Sequence, residues 1–169
     1  MSTIELNLPF TREEASRVKP GDIAVLSGVV YTARDAAHKR MFALLDDGLP
    51  LPFDIKNQTI YYAGPAPAKP GRVIGPCGPT TSSRMDNYAP RLIRLGLTGM
   101  IGKGERGDSV RQALRETGSL YFQAVGGAAA LIARCVKSAE VIAFEDLGTE
   151  AVRRLTIEGL RARVYDPYQ

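Results

Sequence analysis

The side chains in this sequence best suited to chemistry are cations and hydroxyls set among glycines. The run Gly75-Pro76-Cys77-Gly78-Pro79-Thr80-Thr81-Ser82-Ser83-Arg84 places four hydroxyls ahead of an arginine. Glycine lets backbone approach a ligand closely. The free N–H groups of a helix start favour an anion, and a guanidinium grips a carboxylate through two parallel hydrogen bonds. A second run, Ile101-Gly102-Lys103-Gly104-Glu105-Arg106-Gly107, holds a lysine between glycines directly behind an apolar stretch. A third, Val125-Gly126-Gly127-Ala128, reads as a tight turn into a helix, and a fourth, residues 32–40, carries Arg34, Asp35, His38, Lys39 and Arg40. Arg34, Arg84 and Lys103 are each expected behind a strand, where together they can neutralise two carboxylates.

Each run also has a plainer reading. Hydroxyls before a helix serve as caps. Gly-Lys-Gly makes a turn with a solvated lysine, and without the GxxxxGK[ST] spacing it is no phosphate loop. The charges of residues 34–40 suit an exposed helix face, and Arg106-Gly107-Asp108 matches an adhesion tripeptide in letters alone. His38 is the only histidine. With no second histidine or nearby cysteine, it reads as a packing or hydrogen-bonding residue rather than a metal ligand. Cys77 and Cys135 are the only cysteines and lack CxxC spacing, too few to hold a metal cluster within this chain.

The elements that must position these residues follow from periodicity. Ile4-Glu5-Leu6-Asn7-Leu8 alternates as a strand, and Thr11 with Glu14 forms a capping box opening a short helix. A turn at Pro20-Gly21-Asp22 leads to a buried strand over residues 23–31, then a helix over 35–45 that Asp47-Gly48 stops. Residues 49–70 carry several prolines and predict irregular chain around one short strand at 59–63. Beyond them strands at 72–74, 98–101, 120–122, 141–144 and 151–165 are interleaved with helices at 80–95 (kinked by Pro90), 109–117 and 127–135. Such alternation predicts an α/β fold, a mostly parallel sheet layer covered by helices, with the N-terminal third as a separate β-rich layer. The 169 residues suffice for one domain.

Composition narrows the function. Lys and Arg number 22 against 18 Asp and Glu, a net charge of +4. That suits a local anion site better than a nucleic-acid footprint, which needs clustered basic residues. A pI of about 9.2 keeps a stand-alone anion- or RNA-binding module in play, but an aromatic content of 7% without interleaved basic residues argues against base stacking. No membrane-length apolar run and no secretory leader pattern occur, so a cytoplasmic location without membrane contact is expected.

The residues 75–88, GPCGPTTSSRMDNY, resemble the GPTT-x-x-RMD-x-Y signature of the β regions of class I fumarases. Arg34 to Arg40, RDAAHKR, resembles that family's RD-x-x-HKR segment. Gly102-Lys103-Gly104 resembles its KG loop, the stretch from Val125 its GG-x-A-A helix start, and Lys137-Ser138 and residues 145–151 also fit. The family comprises iron–sulfur hydro-lyases: class I fumarases, L-tartrate dehydratases and mesaconate hydratases, some split into α and β subunits. The resemblance implies that the whole of residues 1–169 is one swivelling β/β/α domain. It implies a β subunit hydrating fumarate to malate, or acting on tartrate or mesaconate, active only with an α subunit that carries a 4Fe–4S cluster. It further implies that Arg34, Arg84 and Lys103 bind substrate carboxylates, that Thr80 supplies the hydroxyl moving the C3 proton, and that this chain holds no metal. The assembly it implies is a homodimer of this chain or a heterotetramer of two α and two β subunits.

Overall fold

Among the described residues, the apolar patterning of the sequence resolves into seven strands. The computed structural model, which describes residues 1–124 and 129–169, shows how they close on one another. Strands β1 (Thr3–Leu8), β2 (Ile23–Thr32), β3 (Thr59–Tyr61), β4 (Gly99–Gly102) and β5 (Leu120–Ala124) run parallel. β6 (Val136–Ala143) and β7 (Val152–Val164) follow as an antiparallel pair. β7 is 13 residues long and acts as a clasp. Its residues 153–163 pair antiparallel with β2, while residues 152–157 pair with β6 and 162–164 with β5. The ring β2–β3–β4–β5–β7 is thereby closed into a five-stranded barrel, with β1 and β6 attached outside it.

Among the described residues five helices accompany the strands: α1 (Arg12–Ala15), α2 (Asp35–Asp46), α3 (Ala89–Arg94), α4 (Asp108–Thr117) and α5 (Ala129–Cys135). The capping box of α1 is present in both directions. Thr11 Oγ accepts from the Glu14 N–H at 3.1 Å, and Glu14 Oε1 accepts from the Thr11 N–H at 3.1 Å. The period of two in the central strands divides the core. Tyr61, Ile101 and Phe122 belong to one buried cluster with Leu26, Leu155 and Leu160, inside the barrel. Their neighbours Ile60, Met100 and Tyr121 belong to a second cluster with Ala37 and Met41 of α2, Leu92 of α3 and Val110 of α4. Strands buried on both faces account for the near-continuous apolar runs of β3, β4 and β5.

Three expectations are corrected. The N-terminal strands do not form a separate β-rich layer: β1 and β2 lie in the same sheet as β3 to β5, and β2 is a stave of the barrel. The reason is the length of β7, which reaches β2 on one edge and β5 on the other, a pairing that no local pattern encodes. Residues 72–74 form no strand; they lie in irregular chain where Val73 is 52% exposed and no neighbouring strand offers a ladder. The helix expected over 80–95 is divided into a 3-10 turn, Ser82–Met85, and α3, whose first turn contains Pro90. A proline lacks an N–H that the first turn does not use, so Pro90 opens a helix rather than kinking one.

Candidate functional site

Because β2 to β5 are parallel, their carboxyl ends share one rim, the place where open and closed α/β folds bind ligands. Behind β2, Arg34 is the N-cap of α2 in extended conformation, and the Ala36 N–H donates to Glu150 Oε1 at 3.2 Å, so a carboxylate from residues 145–150 already caps this helix. The Arg34 side chain runs past Gly64, where a Cβ would stand 3.0 Å from Arg34 Cδ and 3.0 Å from the Thr149 carbonyl oxygen. Its Nε is buried and has no partner among the described residues. The Arg34 carbonyl accepts from the His38 N–H at 2.9 Å and lies 2.8 Å from His38 Nδ1, which therefore carries the proton and donates.

Thr80 is strapped between the ends of β3 and β4. Its N–H donates to the Tyr62 carbonyl at 2.7 Å and its carbonyl accepts from the Lys103 N–H at 3.3 Å. The Ser82 N–H donates to the Lys103 carbonyl at 2.9 Å, completing a short parallel bridge between Thr81 and Lys103. Thr80 is half-buried and Lys103 exposed. This strap needs glycine at 102, because a Cβ there would overlap Ser82 Oγ and stand 2.8 Å from the Tyr62 ring. Gly102→Ala is expected to cost about 1–3 kcal/mol as an overpacking change, read as a lower urea midpoint. An unchanged midpoint would show that the strap moves aside freely.

Arg84 turns toward α2 and pairs with Asp35: Nε and Nη2 reach Asp35 Oδ2 at 3.1 and 3.0 Å. Beneath, Arg106 is the buried anchor. Its Nε donates to Asp86 Oδ1 at 2.8 Å and its Nη2 to the Tyr62 hydroxyl at 3.2 Å, with the guanidinium over the rings of Tyr62 and Tyr121 at 5.2 and 4.7 Å. Asp86 Oδ2 accepts from the Gly107 N–H at 2.6 Å. The Tyr121 hydroxyl lies 2.7 Å from Ser82 Oγ and 2.9 Å from the Gly104 carbonyl. One phenolic proton serves both contacts if Tyr121 donates to the carbonyl and accepts from Ser82. The segment from Thr80 to Asp86 and the loop from Lys103 to Gly107 are thus tied at both ends.

The structure therefore links Thr80 to Lys103 through backbone bonds, and Arg84 to the residue following Arg34 through an ion pair. Asp35, Asp86 and Arg106 are the residues a sequence reading passes over. Asp86 closes the Arg84-Met85-Asp86 run, and Arg106 opens Arg106-Gly107-Asp108, three residues beyond Lys103. Arg84 sits in the 3-10 turn rather than directly behind a strand, and the glycine turn at 125–128 lies outside the described residues.

His38 is fully buried beside Tyr62 and Tyr88, with ring centroids 5.7 and 5.5 Å away, and burial pushes its pKa down to about 4. An unfolded histidine titrates near 6.5. Between these values the unfolded chain holds a proton that the folded chain does not, so His38 contributes stability that is complete above pH 6.5 and lost as the pH falls toward 4. The window corresponds to about 3 kcal/mol. His38→Asn keeps a donor toward the Arg34 carbonyl and does not titrate. Its unfolding free energy should therefore fall less than that of the wild type between about pH 7 and about pH 4.5. Equal slopes would show that His38 is not neutral in the fold.

The cysteines offer a test of a resident cluster. Cys77 is buried in the barrel core, its thiol pushed up to about 12 by burial, and Cys135 is half-buried and also raised by burial. Iron binds the thiolate, which such surroundings disfavour. Among the described residues no group of three or more His, Cys, Asp or Glu is placed to hold a metal, so these residues do not fit a 4Fe–4S cluster. No helix among them is long and apolar enough to cross a membrane. A cavity of about 140 Å³ beside Pro65, Val73 and Arg153 and one of about 470 Å³ beside Pro20, Glu105 and Arg163 are lined by none of Arg34, Thr80, Arg84 and Lys103.

Fold and rim define a closed α/β barrel whose strand-end segments and 3-10 turn carry Arg34, Thr80, Arg84 and Lys103. The chain belongs to the fumarase C-terminus family, whose model matches residues 1–166. It is 38% identical over 163 residues to "Fumarate hydratase class I, aerobic" of Escherichia coli, covering 94% of this chain and 30% of that protein. It is 36% identical over 163 residues to "Fumarate hydratase 2" of Leishmania major, covering 94% and 29%. It is also 37% identical over 153 residues to "Putative L(+)-tartrate dehydratase subunit beta" of Methanocaldococcus jannaschii, covering 88% of this chain and 78% of that protein. The chain spans about three tenths of the length of the fumarate hydratases it matches.

Proposed function

We propose that this chain is the β component of a two-component iron–sulfur hydro-lyase that interconverts fumarate and malate. It forms one domain over residues 1–169, of the swivelling β/β/α kind, and acts in the cytoplasm as a homodimer or within a heterotetramer with an α component. The observation that carries the reading is the rim itself: Thr80 and Lys103 joined by backbone bonds, with Arg84 drawn to the Arg34–Asp35 turn. The 4Fe–4S cluster is assigned to the α component, where it would act as Lewis acid toward the substrate hydroxyl.

This chain's share of the reaction follows from charge. Removing the C3 proton of malate builds negative charge on the adjacent carboxylate. Cations already fixed in place stabilise that charge without reorganising as it develops. Arg34, Arg84 and Lys103 bind the two carboxylates, and the Thr80 hydroxyl carries the C3 proton. A second reading, L-tartrate dehydratase, is favoured by the Methanocaldococcus jannaschii relative, since this chain covers 78% of it. Tartrate has the same two carboxylates, as does the mesaconate of a third, and the same cations would serve all three.

The test is to purify the chain with its cysteine-rich partner under anaerobic conditions and assay fumarate, tartrate and mesaconate. The complex should turn over one of them and the isolated chain none. Turnover by this chain alone without iron, or salt-sensitive RNA retention with no hydro-lyase activity in the complex, would overturn the reading.

A further inference from the structure

We infer that Asp35 is a positioning residue that sets which edge of the Arg84 guanidinium is offered to the substrate carboxylate, an inference that rests on the function proposed above. A guanidinium has five N–H donors in a rigid plane. Asp35 Oδ2 accepts from Nε at 3.1 Å and lies 3.0 Å from Nη2, so it occupies the side edge of the plane. Three N–H groups remain, two of them parallel at the tip, and that pair matches the two oxygens of a carboxylate. Arg84 keeps 49% of its side chain exposed, so the tip is accessible while the side edge is held.

Asp35 is itself held. It is the first residue of α2, behind the N-cap Arg34, whose carbonyl is gripped by both the backbone N–H and the Nδ1–H of buried His38. The next residue, Ala36, donates to Glu150. The carboxylate is therefore fixed to the barrel through β2, and it ties Arg84, carried on a 3-10 turn, to the same turn that carries Arg34. Without it, Arg84 has many rotamers of similar energy and no defined edge toward the site. An exposed pair of this kind adds little to stability, so its placement at the rim points to orientation rather than to holding the fold.

The alternative is that Asp35 competes with the substrate for Arg84. The two differ in sign. In the complex with the α component, Asp35→Ala should raise KM for the substrate by about 10- to 100-fold, as expected when a binding group is misplaced, with kcat changed less and Tm nearly unchanged. Asp35→Asn, which keeps an acceptor oxygen, should recover part of the loss. In an Arg84→Ala background, Asp35→Ala should have no further effect, because residues acting through one another are not additive. A lowered or unchanged KM, or an equal effect in both backgrounds, overturns the proposal. A second measurement does not depend on the reaction: the Arg84 Nε–H proton in the isolated chain, followed by NMR. It should exchange slowly in the wild type and rapidly in Asp35→Ala, and equal exchange would sink the geometry. If the wild-type complex turns over none of the three substrates, the proposed function fails, while the NMR comparison still decides whether Asp35 orients Arg84.

Discussion

Asp86→Leu is expected to destabilise the fold by about 3–5 kcal/mol, because it strands a charge that cannot be neutralised. The Arg106 side chain is 0% exposed, and Asp86 Oδ1 at 2.8 Å is its only acidic partner among the described residues. The remaining contacts are a phenol, a thioether and two aromatic faces. These stabilise a cation but do not balance its charge, and an arginine does not lose its proton. Arg106→Met should cost less, since Asp86 retains 16% exposure and the Gly107 N–H, and a carboxylate can take up a proton. The double variant, which puts two apolar side chains in the same space, should recover much of the loss. Urea unfolding of the four proteins checks the ordering. A loss below about 1 kcal/mol for Asp86→Leu would mean that water reaches Arg106 on its removal.

The consequence reaches beyond stability, because this pair clamps the loop that carries Lys103 to the segment that carries Thr80 and Arg84. The barrel supplies parallel strand ends at one rim, but loops of this length have no rigidity of their own. One buried guanidinium fixes both: Nε holds Asp86, Nη2 holds Tyr62 at the end of β3, and its own backbone continues the β4 loop.

Much of this was legible in the sequence, and the rest failed for definable reasons. Period-two alternation located β1, apolar runs located β2, β4 and β5, and Thr11 with Glu14 marked α1, because these signals are local. The closed barrel was not legible, since it depends on residues 153–163 finding β2 more than a hundred positions earlier. Val73 and Ile74 have strand-forming side chains, yet a strand requires a neighbour and none is within reach. Thr80, Arg84 and Lys103 stood out by residue type beside glycines. Arg106 and Asp86 did not, because a buried ion pair looks like surface charge until the burial is known. The match to the fumarate hydratases of Escherichia coli and Leishmania major covers 94% of the chain. The roles proposed for the cations rest on that likeness, because spacing alone left them open.

Thr80→Val in the complex should lower kcat by about 10²- to 10⁴-fold, the range for removing a group that moves a proton in the transition state. The variant is a clean probe for a structural reason. Thr80 is held by its backbone, through the N–H to Tyr62 and the carbonyl to Lys103, and valine keeps the branched shape with the same main-chain preferences. The hydroxyl makes no hydrogen bond among the described residues, so its loss removes chemistry rather than an anchor, and Tm should hardly move. A threonine hydroxyl is a weak base in water. The proposed role requires that the proton's new position be stabilised locally, and the Lys103 ammonium, on the adjoining strand of the bridge, is the cation tied to it most directly. Two outcomes separate proton transfer from binding. If Thr80 moves the proton, exchange of the C3 hydrogen of malate with D2O should fall in step with turnover while KM stays within a few fold. If instead KM rises and exchange keeps pace with the wild type, Thr80 only holds a carboxylate, and the proton passes through a group on the α component.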